Sequence, residues 1–209
     1  YVTSACGLTI YNGTALPEEY RGNSFVCEPA ANLVHRDVIV PNGVTFVAKR
    51  AYPTNEFLAS PDNWFRPVNL TVGPDGALYV CDMYRKTIEH PVYLPQEIAA
   101  VTDFNGGKDK GRIYRIVSTG KGATNSSHLG AATEESLIQA LDHPDGWFRD
   151  TARRLLIEKN PENLVEPLRE FARHAKTAAG RFHALSTLAA MERLDIHTLL
   201  TAMNDTDPG

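Results

Sequence analysis

The spacing of apolar residues changes once along this chain, and that change constrains the fold more than any other feature. Up to about residue 117, short apolar or alternating runs are separated by clusters of Gly, Pro, Asn and Asp, which is typical of short antiparallel strands joined by tight turns. From residue 133 onward, apolar residues recur every three or four positions, which indicates amphipathic helices. The β-type runs cover 5–11, 24–28, 33–40, 45–51, 68–72, 78–82 and 113–117.

A polar segment separates the two patterns. Residues 118–132 are rich in Ser, Thr, Gly and Asn and contain few large apolar residues, as linkers do. The sequence therefore predicts a β plus α protein with a β-rich domain over 1–117, a linker over 118–132 and a helical domain over 133–209. Many short strands at this spacing favour a propeller or a sandwich for the first domain.

The helical part repeats itself. Three residues of one predicted helix return 32 positions later in another: Arg149, Ala152 and Leu156 as Arg181, Ala184 and Leu188. Paired helices with a period in the thirties are typical of a HEAT-type solenoid, whose end is expected to carry a polar capping helix. A fifth helix is predicted from Ile196, Leu199, Leu200 and Met203, and the chain stops where the second helix of a third repeat should begin. We therefore expect the chain to be an internal fragment of a longer protein, in agreement with a start that has neither Met nor a signal peptide.

The charge balance excludes some partners. The 209 residues carry 21 Lys and Arg against 25 Asp and Glu, a formal net charge of −4. A nucleic-acid-binding protein would show a basic excess, so no nucleic acid is expected. No run of about 18 apolar residues occurs, so no transmembrane segment is expected in this chain.

The stretch 64–85 carries the main candidate binding residues. It predicts a β-hairpin that turns at 74–76, with Arg66 before the first strand and Asp82 and Arg85 after the second. An arginine at the start of a strand can bind the carboxylate of a planar anionic ligand in bidentate fashion. The alternative is a structural ion pair between one of these arginines and a neighbour such as Asp82.

Two further groups of polar residues are candidates for a cleft. Glu28, Asn32 and His35 could contact a ligand or hold a cation, although one Glu and one His are an incomplete ligand set for a metal. Structural hydrogen bonding is their alternative role. Glu89 and His90 lie in a loop flanked by prolines, and His90 is a candidate general base because histidine titrates near neutral pH. The alternative is an inert surface histidine.

Several segments carry a resemblance to a known family. Gly-Pro-Asp-Gly-Ala-Leu-Tyr-Val at 73–80, followed by Gly-Arg-Ile-Tyr-Arg-Ile at 111–116, resembles the final blade of the glucose/sorbosone dehydrogenases. Those proteins are six-bladed β-propellers, many of which use pyrroloquinoline quinone (PQQ) with calcium. The similarity is closer to large bacterial proteins called membrane-bound dehydrogenases, which join such a propeller to HEAT repeats and a C-terminal haem-c domain. Further segments that resemble this family are 4–11, 20–36, 65–69 and 88–91.

The resemblance implies an architecture and a function. Residues 1–117 would form one complete four-stranded blade and three strands of the closing blade, and 133–209 would form truncated HEAT repeats. The chain would be part of a periplasmic or cell-envelope dehydrogenase of sugars or polyols. Its propeller would hold the substrate and a quinone-type acceptor, with PQQ and calcium, and electrons would pass to a haem-c domain. The missing blades and that domain would be its partners within the same polypeptide.

The chain departs from the family at the cofactor motif. Quinone-dependent members carry Arg-x-Arg-Asp before Gly-Pro-Asp-Gly, and here Arg66, Val68 and Asn69 occupy the three defined positions. Arg66 is therefore the first cofactor-binding candidate, with Asn69, Asp82 and Arg85 in the same cleft. Because Val68 cannot donate a hydrogen bond to a carboxylate, an alternative is a catalytically inactive scaffold that binds glycans or protein partners. No Cys-x-x-Cys-His motif for haem attachment is present.

Two of the three cysteines lie in neighbouring predicted strands. Cys6 and Cys27 would, if oxidised, close a loop that contributes about 3 kcal/mol to stability. The exported location that the resemblance implies favours this disulfide, and two buried thiols are the alternative. Cys81 is expected to be a small buried apolar residue.

Overall fold

A computed structural model describes residues 3–120, 128–160 and 162–207. The protein is a mixed β plus α protein that divides into two compact units, Tyr1–Ala123 and Thr124–Gly209. The first unit contains two antiparallel sheets, and the second contains five of the six α-helices found among the described residues. The β plus α class predicted from the change in apolar spacing is therefore confirmed.

The first sheet is formed by the N-terminal third of the chain. Its strands follow in the antiparallel order β1-β2-β3-β4, and a short fifth strand pairs with β3. The strands are β1 (Cys6–Ile10), β2 (Ser24–Glu28), β3 (Leu33–Asn42), β4 (Thr45–Arg50) and β5 (Leu58–Ala59). The first four lie on predicted runs, because short apolar or alternating runs bounded by turn residues indicate strands.

The second sheet is a three-stranded antiparallel meander, β6 (Pro67–Val72), β7 (Leu78–Asp82) and β8 (Arg112–Ile116). The β6–β7 hairpin turns where predicted. Gly73 N–H donates to the Ala77 carbonyl at 3.0 Å, and Asp75 accepts from the Ala77 N–H. Among the described residues, β8 pairs only with β7.

The connection between β7 and β8 differs from expectation. The prolines at 91 and 95 predict an extended loop over 88–98, but this prediction is wrong. A 3-10 turn occupies Pro91–Tyr93, and a one-turn helix, α1, occupies Gln96–Ala99. Proline also fits the first turn of a helix, since its fixed φ is helical and its missing N–H is not needed there.

The two sheets share one apolar core. Tyr11, Phe25 and Val34 from the first sheet pack with Leu78 and Val80 from the second, and all five are fully buried. The sheets also meet at the backbone, because β1 contacts β6 at Gly7. A Cβ atom at Gly7 would lie 2.6 Å from the Asn69 Cα, and the Gly7 φ is +59°. Only glycine satisfies both conditions, which lets the two strands approach closely.

The second unit packs helices in two layers. One layer contains α2, α4 and α6, and the other contains α3 and α5. The helices are α2 (Glu134–Ala140), α3 (Gly146–Lys159), α4 (Val165–His174), α5 (Ala178–Ala190) and α6 (Ile196–Ala202). The core that α2 to α5 share includes Leu137, Leu141, Leu156, Leu168 and Leu188. Among the described residues, every helix is too short or too polar to span a lipid bilayer.

The 32-residue repeat is visible in the hydrogen bonds. The Arg149 guanidinium donates to the His143 carbonyl at 2.7 Å, and the Arg181 guanidinium donates to the Ala175 carbonyl at 3.0 Å. Each arginine thus binds the carbonyl six residues before it, at the turn that leads into its helix. The recurrence of the arginine therefore reflects a recurring structural role.

The predicted linker is only partly described. Residues 121–127 lie outside the described residues. Leu129, which the polarity of its neighbours places in the linker, is buried in the core of the helical unit, where a 3-10 turn spans Leu129–Ala131. At the other end, Ser118 N–H donates to the Ala15 carbonyl at 3.1 Å. A single large apolar residue in a polar segment is the signal that distinguishes 128–132 from a free linker.

The Arg181–Asp205 pair predicts a specific acid sensitivity. The Arg181 guanidinium donates to both carboxylate oxygens of Asp205, at 2.5 and 2.7 Å, and these bonds lower the pKa of Asp205 to about 2. A carboxyl whose pKa is lower in the folded than in the unfolded state stabilises the fold above the unfolded pKa of about 4. That contribution is lost as the pH falls from about 4 through about 2.

The measurement is the unfolding free energy of the wild type minus that of Asp205→Asn, followed from about pH 6 to about pH 2. We expect the difference to be constant down to about pH 4 and to shrink below it. A difference that stays constant over the whole range would contradict the ion pair. Glu158→Gln is the control, since Glu158 forms an exposed pair with Arg154.

Candidate functional site

A buried carboxylate ends the second strand of each sheet. Glu28, the last residue of β2, is 1% exposed and accepts hydrogen bonds from the backbone N–H groups of Thr3 and Ser4 and from the Ser4 hydroxyl, at 2.7–3.1 Å. It therefore fixes the segment that leads into β1, which is a structural role for this predicted ligand residue.

Asp82, the last residue of β7, has the equivalent position in the second sheet. It is 3% exposed, and its Oδ1 accepts from the backbone N–H groups of Arg66 and Tyr84, both at 2.8 Å. The buried Oδ2 has no hydrogen-bond donor among the residues that the structure describes. Asp82 thus holds the start of β6 and retains one buried acceptor, the kind of group that a ligand or water satisfies.

The guanidinium group of Arg66 donates its hydrogen bonds to backbone carbonyl groups. It donates to the carbonyls of Pro29 at 2.8 Å, Arg85 at 3.2 Å and Lys86 at 3.3 Å. These bonds join the turn after β2 to the loop after β7. The Asp82 contact of Arg66 is made by the main-chain N–H, so the sequence-based alternative of a side-chain ion pair does not describe it.

The donors at the cofactor motif are engaged by the backbone or missing. A carboxylate that binds Arg66 would compete with three carbonyl oxygens that the guanidinium already contacts. Val68, beside it on β6, has no donor, and Asn69 is exposed on the same strand. Arg85 is half-buried, and no described residue forms an ion pair with its side chain. The cofactor-binding roles of these residues remain predictions.

An aromatic cluster lies beside Asp82. We call Asp62, Trp64, Tyr84 and Arg112 the Tyr84 cluster. The Trp64 and Tyr84 rings are 5.7 Å apart, and the Arg112 guanidinium lies 3.6 Å from the centre of the Tyr84 ring. The Tyr84 hydroxyl donates to Asp62 at 3.0 Å. Tyr84 has a φ of +49°, an uncommon conformation for an aromatic residue and one of the outliers that cluster at functional sites.

The cluster contains a stabilised carboxylate. The backbone N–H of Trp64, the Tyr84 hydroxyl and the Arg112 charge lower the pKa of Asp62. The same hydrogen bond to Asp62 raises the pKa of Tyr84, since the phenol is stabilised as a donor. The cluster therefore presents an ionised acceptor, a charged donor and two aromatic rings, and Asp62 and Arg112 are exposed.

Asn32 positions this cluster from the first sheet. Its side-chain amide donates to the carbonyls of Phe65 at 2.6 Å and Asn63 at 3.4 Å, on both sides of Trp64. Asn32 is buried and has a φ of +57°, which asparagine tolerates better than most residues. The predicted cleft residue is thus a positioning residue for the segment that carries Trp64.

His35 lies in a different environment from Glu28. Its Nδ1 is 2.6 Å from Glu56 Oε2, its Nε2 is 3.1 Å from Asp37 Oδ1, and Arg50 also binds Glu56. Burial raises the pKa of Glu56, but hydrogen bonds from His35 and Arg50 outweigh burial and lower it overall. This is a local charge network between β3, β4 and the segment after β4.

The remaining predicted residues lie at the surface. Glu89 and His90 are both exposed. His90 Nδ1 accepts from the Val92 N–H at 3.2 Å, and its ring packs against Tyr93. His90 therefore caps the 3-10 turn that follows it, and its role as a base remains a prediction.

The three cysteines are free thiols. Cys6 and Cys27 lie directly opposite each other in the β1–β2 pairing, as predicted for neighbouring strands. Burial, with smaller effects of Cys6 and Cys81, raises the pKa of Cys27 to about 12. A raised pKa keeps the group in its thiol form at neutral pH. The disulfide remains a prediction. Within the described part of the chain, no three His, Cys, Asp or Glu residues are arranged to hold a metal ion.

Comparison with protein families identifies the family to which the first unit belongs. The model of a family described as a domain of unknown function, DUF7133, matches residues 1–120, more than half of the chain. The chain belongs to the DUF7133 family. Comparisons with curated proteins and with solved structures find no match. The DUF7133 match includes both sheets and all members of the Tyr84 cluster, so the candidate site belongs to the family domain.

Sequence reasoning missed most of the cluster. It identified the 64–85 stretch of the DUF7133 domain but selected its charged residues, whereas the aromatic residues Trp64 and Tyr84 form the surface. Arg112 lies 28 residues beyond Tyr84, and only the pairing of β7 with β8 brings them together. The sequence signal that could have found the cluster was a pair of aromatic residues, Trp64 before β6 and Tyr84 after β7.

Proposed function

We propose that the chain contributes the last two blades of a six-bladed β-propeller followed by HEAT-type repeats. The first sheet has four strands in the order β1-β2-β3-β4, with the short β5 added beside β3, and a three-stranded sheet follows it. This order supports the proposal, as does the contact between the first strands of the two sheets, β1 and β6. The second sheet has the form of a closing blade that takes its fourth strand from elsewhere. The 32-residue repeat and the two helix layers support the HEAT assignment.

We propose further that the Tyr84 cluster binds a sugar or polyol. The observation that supports this most is the combination of two adjacent aromatic rings with Asp62 and Arg112. The C–H face of a sugar ring packs against aromatic side chains, and its hydroxyl groups pair with carboxylate and guanidinium groups. Buried Asp82 Oδ2 is a further acceptor beside the cluster.

The contacts of Arg66 favour a protein that binds a sugar over one that also oxidises it. An arginine that three carbonyls already hold, together with Val68, supports a scaffold that binds glycans without redox chemistry of its own. The second candidate is a sugar or polyol dehydrogenase that uses PQQ with calcium and passes electrons to a haem-c domain. It is favoured by the resemblance of the segments at 73–80 and 111–116. Both candidates agree with a periplasmic or cell-envelope location.

The test is Trp64→Ala in the full 209-residue chain. Binding of glucose, galactose and sorbitol is measured by isothermal titration calorimetry for the wild type and the variant. Loss of the ring that the sugar packs against is expected to weaken binding at least about tenfold, or ~1.4 kcal/mol. The control is Tyr93→Ala, an exposed aromatic residue that contacts His90, for which no change is expected.

Absence of binding in the wild type, or an equal loss in the two variants, would contradict the proposed site. Reduction of a dye by the parent protein with one of these sugars would favour the dehydrogenase over the scaffold. That assay separates the two functions without affecting the binding test, since both require a sugar-binding surface.

A further inference from the structure

The last helix of the second unit repeats the first. α2 and α6 each contain seven residues, and 62 positions separate their equivalent residues. Their N-cap residues, Thr133 and Asp195, each accept from the N–H three residues later. Their C-cap residues are Leu141 and Met203. The two helices therefore align without gaps.

The aligned apolar positions differ in exposure. Leu137, Ile138 and Leu141 of the first copy are 0%, 4% and 0% exposed, within the core that α2 forms with α3. Their equivalents Leu199, Leu200 and Met203 are 43%, 54% and 75% exposed. Identical spacing with opposite burial indicates that the second copy has the apolar residues of a covered helix.

A residue of α5 is also an exposed large apolar side chain. Phe182 is 57% exposed and lines a groove with Leu185 of α5 and Ala202 of α6. Within its own layer, α5 packs against α3. The groove therefore continues the packing by which α3 contacts α2 and α5, one repeat further along the unit.

The sequence after α6 indicates what fills this surface. Asp207 aligns with Asp145, the N-cap of α3, whose side chain accepts from the Trp147 N–H at 2.9 Å. The residue after Asp207 in the sequence is a proline, which is over-represented at the first position of helices. An N-cap residue followed by proline is the sequence pattern of a helix start.

We propose that Phe182, Leu199, Leu200 and Met203 form the docking surface for a helix that follows Asp207 in the same polypeptide. This helix packs on α6 and α5 as α3 packs on α2 and α5. It presents an amphipathic face with apolar residues at helical spacing, equivalent to Phe148, Ala152 and Leu156 of α3. This inference does not depend on the sugar-binding proposal.

The experiment measures thiol labelling at Met203→Cys. The variant is made in the 209-residue chain and in the polypeptide extended past residue 209 by about 20 residues of its own reading frame, enough for one helix and its turn. We expect fast labelling in the shorter chain and labelling at least about tenfold slower in the extended chain. Peptide mass mapping separates this site from the three native cysteines.

Thr201→Cys is the matched control. Thr201 is exposed on the same helix, and its equivalent Gln139 stays exposed in α2, so its labelling rate is expected to be equal in both chains. Equal labelling of Met203→Cys in the two chains would overturn the proposal. So would an extension that adds no helical circular dichroism, or protection in the shorter chain that increases with concentration, which would identify a second copy as the occupant.

Discussion

Replacing Glu28 with alanine is expected to lower the free energy of unfolding of the β-rich unit by about 3 kcal/mol. The carboxylate is buried and accepts from two backbone N–H groups and one hydroxyl at the entry to β1. Alanine leaves these donors without their acceptor, and Ser4 is partly buried. The measurement is urea unfolding followed by Trp64 fluorescence in a Trp147→Phe background, because Trp147 belongs to the helical unit.

Two control variants accompany Glu28→Ala: one removes only the charge of Glu28, and the other removes an exposed glutamate. Glu28→Gln keeps an acceptor oxygen and is expected to cost less than alanine. Glu18→Ala removes a side chain that is 85% exposed and is expected to change stability by less than about 0.5 kcal/mol. If Glu28→Ala costs no more than Glu18→Ala, the assignment of Glu28 as the anchor of β1 is wrong.

Replacing Gly7 with alanine is expected to cost about 3 kcal/mol or more. The new Cβ would lie 2.6 Å from the Asn69 Cα and 2.8 Å from the Val68 carbonyl oxygen, and backbone atoms cannot move aside as a flexible side chain can. The substitution also places a side chain at a φ of +59°. The same fluorescence-monitored unfolding measures the effect.

Gly22→Ala separates the two causes of this cost. Gly22 has a φ of +73°, but a Cβ there would meet no atom within 4 Å. Its substitution therefore reports the conformational cost alone, about 1 kcal/mol. The excess cost at Gly7 measures the close approach of β1 and β6. Equal costs for the two variants would show that the sheets do not approach as described.

Local patterns predicted the elements of this fold well. A short apolar run bounded by polar residues identified the strand Ser24–Glu28, and the apolar spacing around Leu137 and Leu141 identified α2. These signals are local because burial of one face repeats every two residues in a strand and every 3.6 in a helix. The loop at 88–98 was misjudged because proline is compatible with both an extended chain and a helix start.

The candidate site was less predictable because its contacts are distant in sequence. Asp62 and Tyr84 are 22 residues apart, and Arg112 reaches Tyr84 only through strand pairing. The acceptors of Arg66 are backbone carbonyls, which every residue carries and no side-chain motif reports. Likewise, His35 binds Glu56, 21 residues away, as well as Asp37, and does not contact Glu28, with which the sequence pattern grouped it.

The two buried acids, Glu28 and Asp82, bear on how such a protein can change during evolution. Each follows a Val-Cys pair at the end of the second strand of its sheet, and each secures the residues that enter the first strand of that same sheet. In each of the two sheets, the buried acid and the segment that it holds therefore lie within one continuous stretch of sequence. Duplication or deletion of one such stretch would leave the anchor of the other sheet intact, so the number of sheets of this kind can change without redesign of their neighbours.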